Sequence, residues 1–450
     1  MNRPLGASGA SRCRDLRAVD RALVEALRVE GALRSWRALA STSRATVDPD
    51  MSRGTASATA IGQGGGDAPR GKLLRVAWYH QVVPHYRVPA INGLAARPTI
   101  ELTIAAGQEF PGVSHPDASD ALDTPVIRLR NLWGKRGNPK VTYSLGVTRV
   151  LLSRPDVMII GESSKNLVHW LCLGLRPLFG YRLVIIGHIR LSRRGEGLGS
   201  KLRKKLVRSA DGVIAYGEAG VEQALAWGVS PSAVVAMGNA IYAERVAAAR
   251  AAVEAVDVTA LRRELDLTGP VFVFIARPTP WKRLDVAIET MRLLAARGVD
   301  AHMLVIGGGA GLPRHMAQAA DLKSVRFLGS ITDEHALAPY FAIADLVFIP
   351  GAVGLAVNHA FAYGLPLVTA ANVPHGPEMA IARHGRNAVI VKSCDARLFA
   401  AELESLARSP DRLRALQGGA ESTNVPTLAD MVDNIEALIL RVATRGPSQA

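Results

Sequence analysis

Three cysteines in 450 residues, Cys13, Cys172 and Cys394, are too few and too far apart for a disulfide framework or a metal-ligand cluster. Thiols this sparse are expected to be reduced and intracellular. Aromatic residues make up only 5% of the chain, and neither a zinc finger nor an aromatic RNA-binding signature occurs, so no nucleic acid partner is expected. No apolar run reaches the length of a membrane span: the nearest, from Leu167 to Ile186, is broken by Arg176, Pro177 and Arg182. Acid is also short. Against 39 Asp and Glu stand 54 Lys and Arg, a net charge of +15, which favours an anionic membrane face or a phosphorylated substrate.

What remains is apolar and small. With 48% hydrophobic residues and 42 glycines the chain reads as an Ala-, Val- and Leu-rich α/β enzyme, and its length suits two domains. Residues 1 to 70 are rich in Ala, Arg, Gly and Ser and close on GQGGGDAP, a linker. Leu16, Val19, Leu23, Leu27 and Trp36 recur there at helical spacing, so a loosely helical extension is expected. The first strand is LLRVAWY, from Leu73. IELTIAAG, TPVIRLRN, PDVMIIGESS and YRLVIIGH follow as strands, and LRNLWGKRGNPK reads as a basic loop exposing Trp133. Arg190, Arg193, Arg194, Lys201, Arg203, Lys204, Lys205 and Arg208 form a basic block against one acid, Glu196. Leu398 to Leu416 reads as one amphipathic helix.

The stretch from Asp345 to Glu378 reads as strand, turn, helix and strand. Leu346 to Ile349 is apolar, Pro350 and Gly351 break it, Leu355 to Ala362 has helical spacing, and Leu367 to Thr369 is again a strand. In its turn, Gly351, Ala352, Val353 and Gly354 precede a helix start, where backbone N–H groups favour an anion. Upstream, the strand Val271 to Ile275 runs into Arg277 and Lys282, two cations just past a strand's carboxyl end, suited to a diphosphate. A dinucleotide-dependent oxidoreductase is the first rival, suggested by IGGGAG at 306 to 311. It fails on order and spacing, because the Gly run comes late and is not G-x-G-x-x-G.

The series strand-R-x4-K, LVIGGGAG, VRFLGSI, LAPYFAIADLVFIPG, the Gly turn, HAFAYGLP and HGPE resembles the C-terminal half of a family 4 retaining glycosyltransferase of the GT-B fold. The likeness covers roughly residues 270 to 395. It implies two Rossmann-like α/β domains facing a cleft: an extension at 1–70, an acceptor domain at 71–245, a linker and helix at 246–268, a nucleotide-sugar-binding domain at 269–426, and a helix at 427–445 crossing back. The implied activity is hexosyl transfer, with retention, from a nucleotide-diphosphate donor to a lipid-linked or saccharide acceptor in cell-envelope or polysaccharide synthesis. The implied location is cytoplasmic, at the inner membrane face.

The resemblance also assigns roles. Arg277 and Lys282 meet the diphosphate, and the turn from Gly351 to Leu355 supplies backbone donors. Gly308 and Glu378 lie at the donor edge, and His188 ends a strand facing the transferred sugar. His80 and Arg87, in the PHYRVP turn and the strand before it, face the acceptor. No metal or other cofactor is implied, since cations replace one and no DxD pair occupies a strand end. The chain departs from the pattern at two places: most members carry glutamates eight positions apart, and here those positions are Gly351 and His359. His359 is expected to take the ribose side. A second rival follows from that departure, a non-catalytic GT-B protein that binds a nucleotide or a partner.

Overall fold

The structure, a computed structural model, describes residues 73–109, 117–133, 141–190, 197–241, 243–253 and 258–444. The extension expected at 1–70, and Arg193, Arg194 and Glu196 of the basic block, lie outside these residues.

Eight short strands make the first sheet: β1 (Leu74–His80), β2 (Ile100–Gly107), β3 (Val126–Trp133), β4 (Thr142–Leu145), β5 (Val157–Gly161), β6 (Arg182–Gly187), β7 (Gly212–Ala215) and β8 (Val234–Ala236). Their order is β4-β3-β2-β1-β5-β6-β7-β8, and every pair is parallel except β3 with β4. The second sheet holds β9 (Val271–Ile275), β10 (His302–Ile306), β11 (Val325–Gly329), β12 (Leu346–Phe348), β13 (Leu367–Ala370) and β14 (Ala388–Val391). Its order is β11-β10-β9-β12-β13-β14, all parallel. Parallel strands are covered on both faces, which is why VFVFI and LVF are apolar throughout and not alternating.

Each sheet reverses its order once, between β1 and β5 in the first and between β9 and β12 in the second. Crossovers leave a crevice at the carboxyl ends of the two strands flanking such a reversal. Topology alone therefore places ligand crevices at His80 and Gly161–Glu162, and at Arg277 and Pro350–Gly351.

The helix Leu428–Thr444 ends the described chain and packs on the first sheet, not the second. Met431, Val432, Ile435, Leu438, Ile439 and Val442 are all buried in the core that holds Trp78, Ile159 and Ile214. At about 1.5–3 kcal/mol for each side chain, that contact fixes the helix firmly. Glycine lets it close in: a Cβ at Gly212 would lie 2.7 Å from Val442 Cγ2, and one at Gly93 2.9 Å from Val432 Cγ2. The second core takes in Ile241, ahead of the boundary expected at 245, and Val246 and Ala249 of the segment expected as linker and helix. No helix among the described residues is long and apolar enough to cross a membrane.

Two local expectations are corrected. Leu132 and Trp133, read as part of a basic loop beyond the strand TPVIRLRN, complete β3 and pair with β4. The inward position at Asn131 is polar, and its side chain donates to the carbonyls of Gln81 and Gln108 and accepts from Ser144 Oγ at 2.6 Å. Leu398 to Leu416 is not one helix but parts of two, Ala396–Ala407 and Pro410–Glu421. Pro410 cannot continue the first helix and opens the second, where a missing N–H costs nothing.

Candidate active site

At the first crevice the ends of β1, β5 and β6 surround a cavity of about 290 Å³ lined by His80, Arg87, Glu162, His188, Trp78, Tyr86 and Tyr216, among others. Three residues expected on the acceptor side or at the reacting centre, His80, Arg87 and His188, are thus brought together. Arg87 is buried in the cavity lining, its guanidinium 4.5 Å from the centroid of the Tyr216 ring. His80 sits 4.9 Å from Trp78, and its Nε2 is buried without a hydrogen-bond partner among the described residues. Burial, then the Arg87 charge, push His80 down to about 3. The His188 ring is exposed to the cavity and meets Tyr216 edge-on at 4.4 Å. Desolvation, followed by the Arg190 and Arg87 charges, lowers it to about 4, so His188 is neutral at pH 7.

Sequence reading marked Glu162 only as a strand end. In the structure its two oxygens accept the His188 and Ile189 N–H groups, both at 3.0 Å. Ile189 has φ 46°, a costly backbone for a β-branched residue. Glu162 holds that turn, and a Cβ at Gly187 would strike its Cγ at 2.6 Å. Burial raises the Glu162 carboxyl, against the opposing Arg203 charge, the two amides and Arg190.

At the second crevice Lys282 Nζ donates to the Ala352 carbonyl at 2.6 Å. Burial lowers the Lys282 ammonium, and the Glu378 charge opposes that shift. Arg277 is exposed at the end of β9 beside the glycine turn after β10, where a Cβ at Gly309 would lie 3.5 Å from its Cγ. Gly307, with φ 149°, passes against the Ala276 carbonyl, which a Cβ would meet at 2.0 Å, while Gly308 faces Ser330. These glycines pack two loops together, a sufficient reason for IGGGAG without a dinucleotide.

The Gly351 turn differs from expectation. Gly351 N–H donates to Lys282 O at 3.2 Å, Ala352 N–H to Trp281 O at 2.7 Å, and Val353 N–H to His375 Nδ1 at 3.2 Å. Three of the backbone donors assigned to a ligand are therefore spent on the protein. No hydrogen bond among the described residues engages the N–H groups of Gly354 and Leu355. Backbone proximity also explains the glycine: a Cβ at Gly351 would lie 2.1 Å from Trp281 O, which leaves no room for a glutamate.

His359 is held from outside its own helix, Ala356–Ala362. Its Nε2 meets Glu334 Oε1 at 2.9 Å, and Tyr363 Oη donates to Glu334 Oε2 at 3.2 Å. Burial raises the Glu334 carboxyl, but the His359 and Tyr363 contacts outweigh it and hold the group below its ordinary value. Neither Glu334 nor His375 was legible as a site residue.

The two crevices meet. Arg190, just past β6, donates to His375 O at 2.9 Å, Asn239 Nδ2 to Glu378 Oε1 at 2.5 Å, and Asn358 Nδ2 to Asn239 O at 2.8 Å. Glu378 is buried and its Oε2 has no partner among the described residues. A separate cavity of about 520 Å³ is lined by Lys201, Lys204, Lys205, Arg208 and Trp227 and shares no lining residue with the first. Among the described residues no cluster of three or more His, Cys, Asp or Glu could hold a metal ion.

Two parallel α/β sheets with their carboxyl edges turned to each other define the GT-B fold. The Anabaena protein HepE in complex with UDP and glucose has the same fold, with a TM-score of 0.59 and 16% identity over 81% of this chain and 98% of that one. Residues 269–409 match the family described as Glycosyl transferases group 1. D-inositol 3-phosphate glycosyltransferase of Thermobispora bispora is 32% identical over 177 residues, 36% of this chain and 41% of that protein. GDP-mannose-dependent alpha-(1-6)-phosphatidylinositol dimannoside mannosyltransferase of Mycobacterium tuberculosis is 34% identical over 104 residues, 22% of this chain and 27% of that protein. The chain spans less than half the length of these curated relatives.

Proposed function

We propose that the protein transfers a sugar, with retention, from a nucleotide-diphosphate donor to a saccharide or lipid-linked acceptor in cell-envelope or polysaccharide synthesis. The observation that carries the reading is the second crevice, where Lys282 is locked across the Gly351 turn and Arg277 follows the end of β9, inside the segment that matches Glycosyl transferases group 1. Breaking a glycosyl–phosphate bond builds negative charge on the leaving diphosphate. Cations fixed in advance stabilise that charge without reorganising. Gly354 and Leu355 carry the N–H groups not spent within the turn, with Gly308 on the loop beside Arg277. His359, oriented by Glu334, offers its other ring nitrogen to the ribose. Glu378 Oε2 is an acceptor for a donor hydroxyl.

His188 presents a neutral imidazole from the other side of the cleft, and its turn is positioned by Glu162. His80 and Arg87 line the acceptor side. Arg277 and Lys282 supply the positive charge, so this reading uses no metal. Relatives whose names specify GDP-mannose and inositol phosphates, and the neighbour with UDP and glucose, support a nucleotide-sugar donor. The face of Lys201, Lys204, Lys205 and Arg208 suits an anionic membrane surface, which would place the enzyme at the inner face of the cytoplasmic membrane.

A second reading, a non-catalytic nucleotide- or partner-binding protein, is favoured by the spent N–H groups of Gly351, Ala352 and Val353. Thermal denaturation across a panel of nucleotides and nucleotide sugars separates the two from a protein that binds neither. A ligand of the native state raises its stability by mass action. A nucleotide-diphosphate sugar that stabilises the chain and is consumed on adding acceptors supports transfer; binding without consumption supports the second reading; a silent panel removes transfer and nucleotide binding and leaves only the partner-binding form of the second reading.

A further inference from the structure

Arg87 is 4% exposed, yet no carboxylate meets it among the described residues. Its Nη1 donates to Met237 Sδ at 3.6 Å, and its guanidinium stands 4.5 Å and 5.8 Å from the ring centroids of Tyr216 and Tyr86. A weak sulfur acceptor and two rings leave most of its five N–H donors without an oxygen. A cation taken from water without a counter-charge is costly, and attraction to ring faces offsets only part of that cost. Glu162 lines the same cavity but is committed to the amides of His188 and Ile189, and the cations acting on it are Arg203 and Arg190. The helix Val88–Ala95 starts directly after Arg87 with no acid in its first turn, so its dipole adds to the positive field.

We propose that Arg87 receives an oxyanion carried by the acceptor, so that the cavity selects acceptors bearing a phosphate or carboxylate near the hydroxyl that takes the sugar. A planar guanidinium grips either group through two parallel hydrogen bonds. Tyr86 and Tyr216 offer ring surface to the rest of such a molecule, and His188 meets Tyr216 in the same lining. That the anion belongs to an acceptor rests on the sugar-transfer reading, but the anion site itself does not.

Inorganic phosphate, titrated calorimetrically into the full chain, tests it in four proteins: wild type, Arg87→Gln, Arg87→Lys and the double variant Arg277→Ala/Lys282→Ala. The double variant removes the cations assigned to the donor diphosphate. Phosphate is expected to bind wild type and the double variant alike, and to bind Arg87→Gln at least tenfold more weakly. Arg87→Lys, which keeps the charge and loses the fork, is expected between them, and it decides the matter if circular dichroism shows Arg87→Gln unfolded. Equal affinity in wild type and the Arg87 variants, or binding lost only in the double variant, overturns the site. Phosphate binding that depends on Arg87 in a protein that binds no nucleotide sugar keeps the site and removes the sugar-transfer reading; transfer without any Arg87-dependent phosphate binding does the reverse.

Discussion

At the second crevice the polar groups are turned inward: Gly351, Ala352 and Val353 give their N–H groups to Lys282 O, Trp281 O and His375, and Lys282 gives its ammonium to Ala352 O. At the first crevice the balance runs the other way, with His80 Nε2 unpartnered among the described residues and Arg87 facing rings and a thioether. Both sites stand at the switch point of a parallel sheet, so topology does not distinguish them. The difference lies in preorganisation. A site for a diphosphate benefits from a cation fixed before the ligand arrives. A site whose groups lack protein partners is completed by what it binds.

The largest effect that sharpens this contrast is expected in turnover. Lys282→Ala should lower kcat about 10²- to 10³-fold, the cost of losing one fixed donor to developing charge. His188→Ala should lower it less, by about 10²-fold. Steady-state assays on a nucleotide-sugar substrate measure both; a larger loss for His188→Ala would invert the assignment of the two crevices. Stability comes next. Gly212→Val drives a side chain into Val442 on the helix that ties the chain's end to the first sheet, and should cost about 1–3 kcal/mol in urea unfolding.

The smallest effect is in pH. Buried His169, lowered to about 4 by desolvation against its Ser163 carbonyl contact, and His80, lowered to about 3, are neutral when folded. The unfolded chain protonates both below the ordinary value of 6.5. Their contribution to stability is therefore complete above pH 6.5 and is lost progressively as pH falls toward 4, since the unfolded state then binds more protons. His169→Gln should flatten that slope in unfolding measured across the same range.

The second crevice was the more legible of the two because its parts are local in sequence. Arg277 and Lys282 follow one strand, and the Gly351 turn and His359 follow another. What sequence could not show was how that turn is used, since its hydrogen-bond partners come from Trp281 and Lys282, far along the chain. Likewise, Glu334 meets His359 only in the folded chain, from the first turn of the helix Glu334–Ala342. At the first crevice, His80, Arg87 and His188 could be named one at a time, each as the end of a strand or turn. Glu162 stayed mute because its partners are backbone amides, which carry no residue-type signal. The end of β3 was missed for a related reason: Leu132 and Trp133 pair with β4 across a basic stretch whose sequence reads as a loop.

The central claim is that the second crevice holds the donor and the first holds the reacting end and the acceptor. Calorimetric titration of UDP-glucose and GDP-mannose into wild type, Lys282→Ala and His188→Ala addresses it directly, because binding is separated from chemistry. One of these donors is expected to bind wild type, to lose at least tenfold in affinity in Lys282→Ala, and to keep its affinity within about twofold in His188→Ala. Equal affinity in wild type and Lys282→Ala, or a greater loss in His188→Ala, would contradict it.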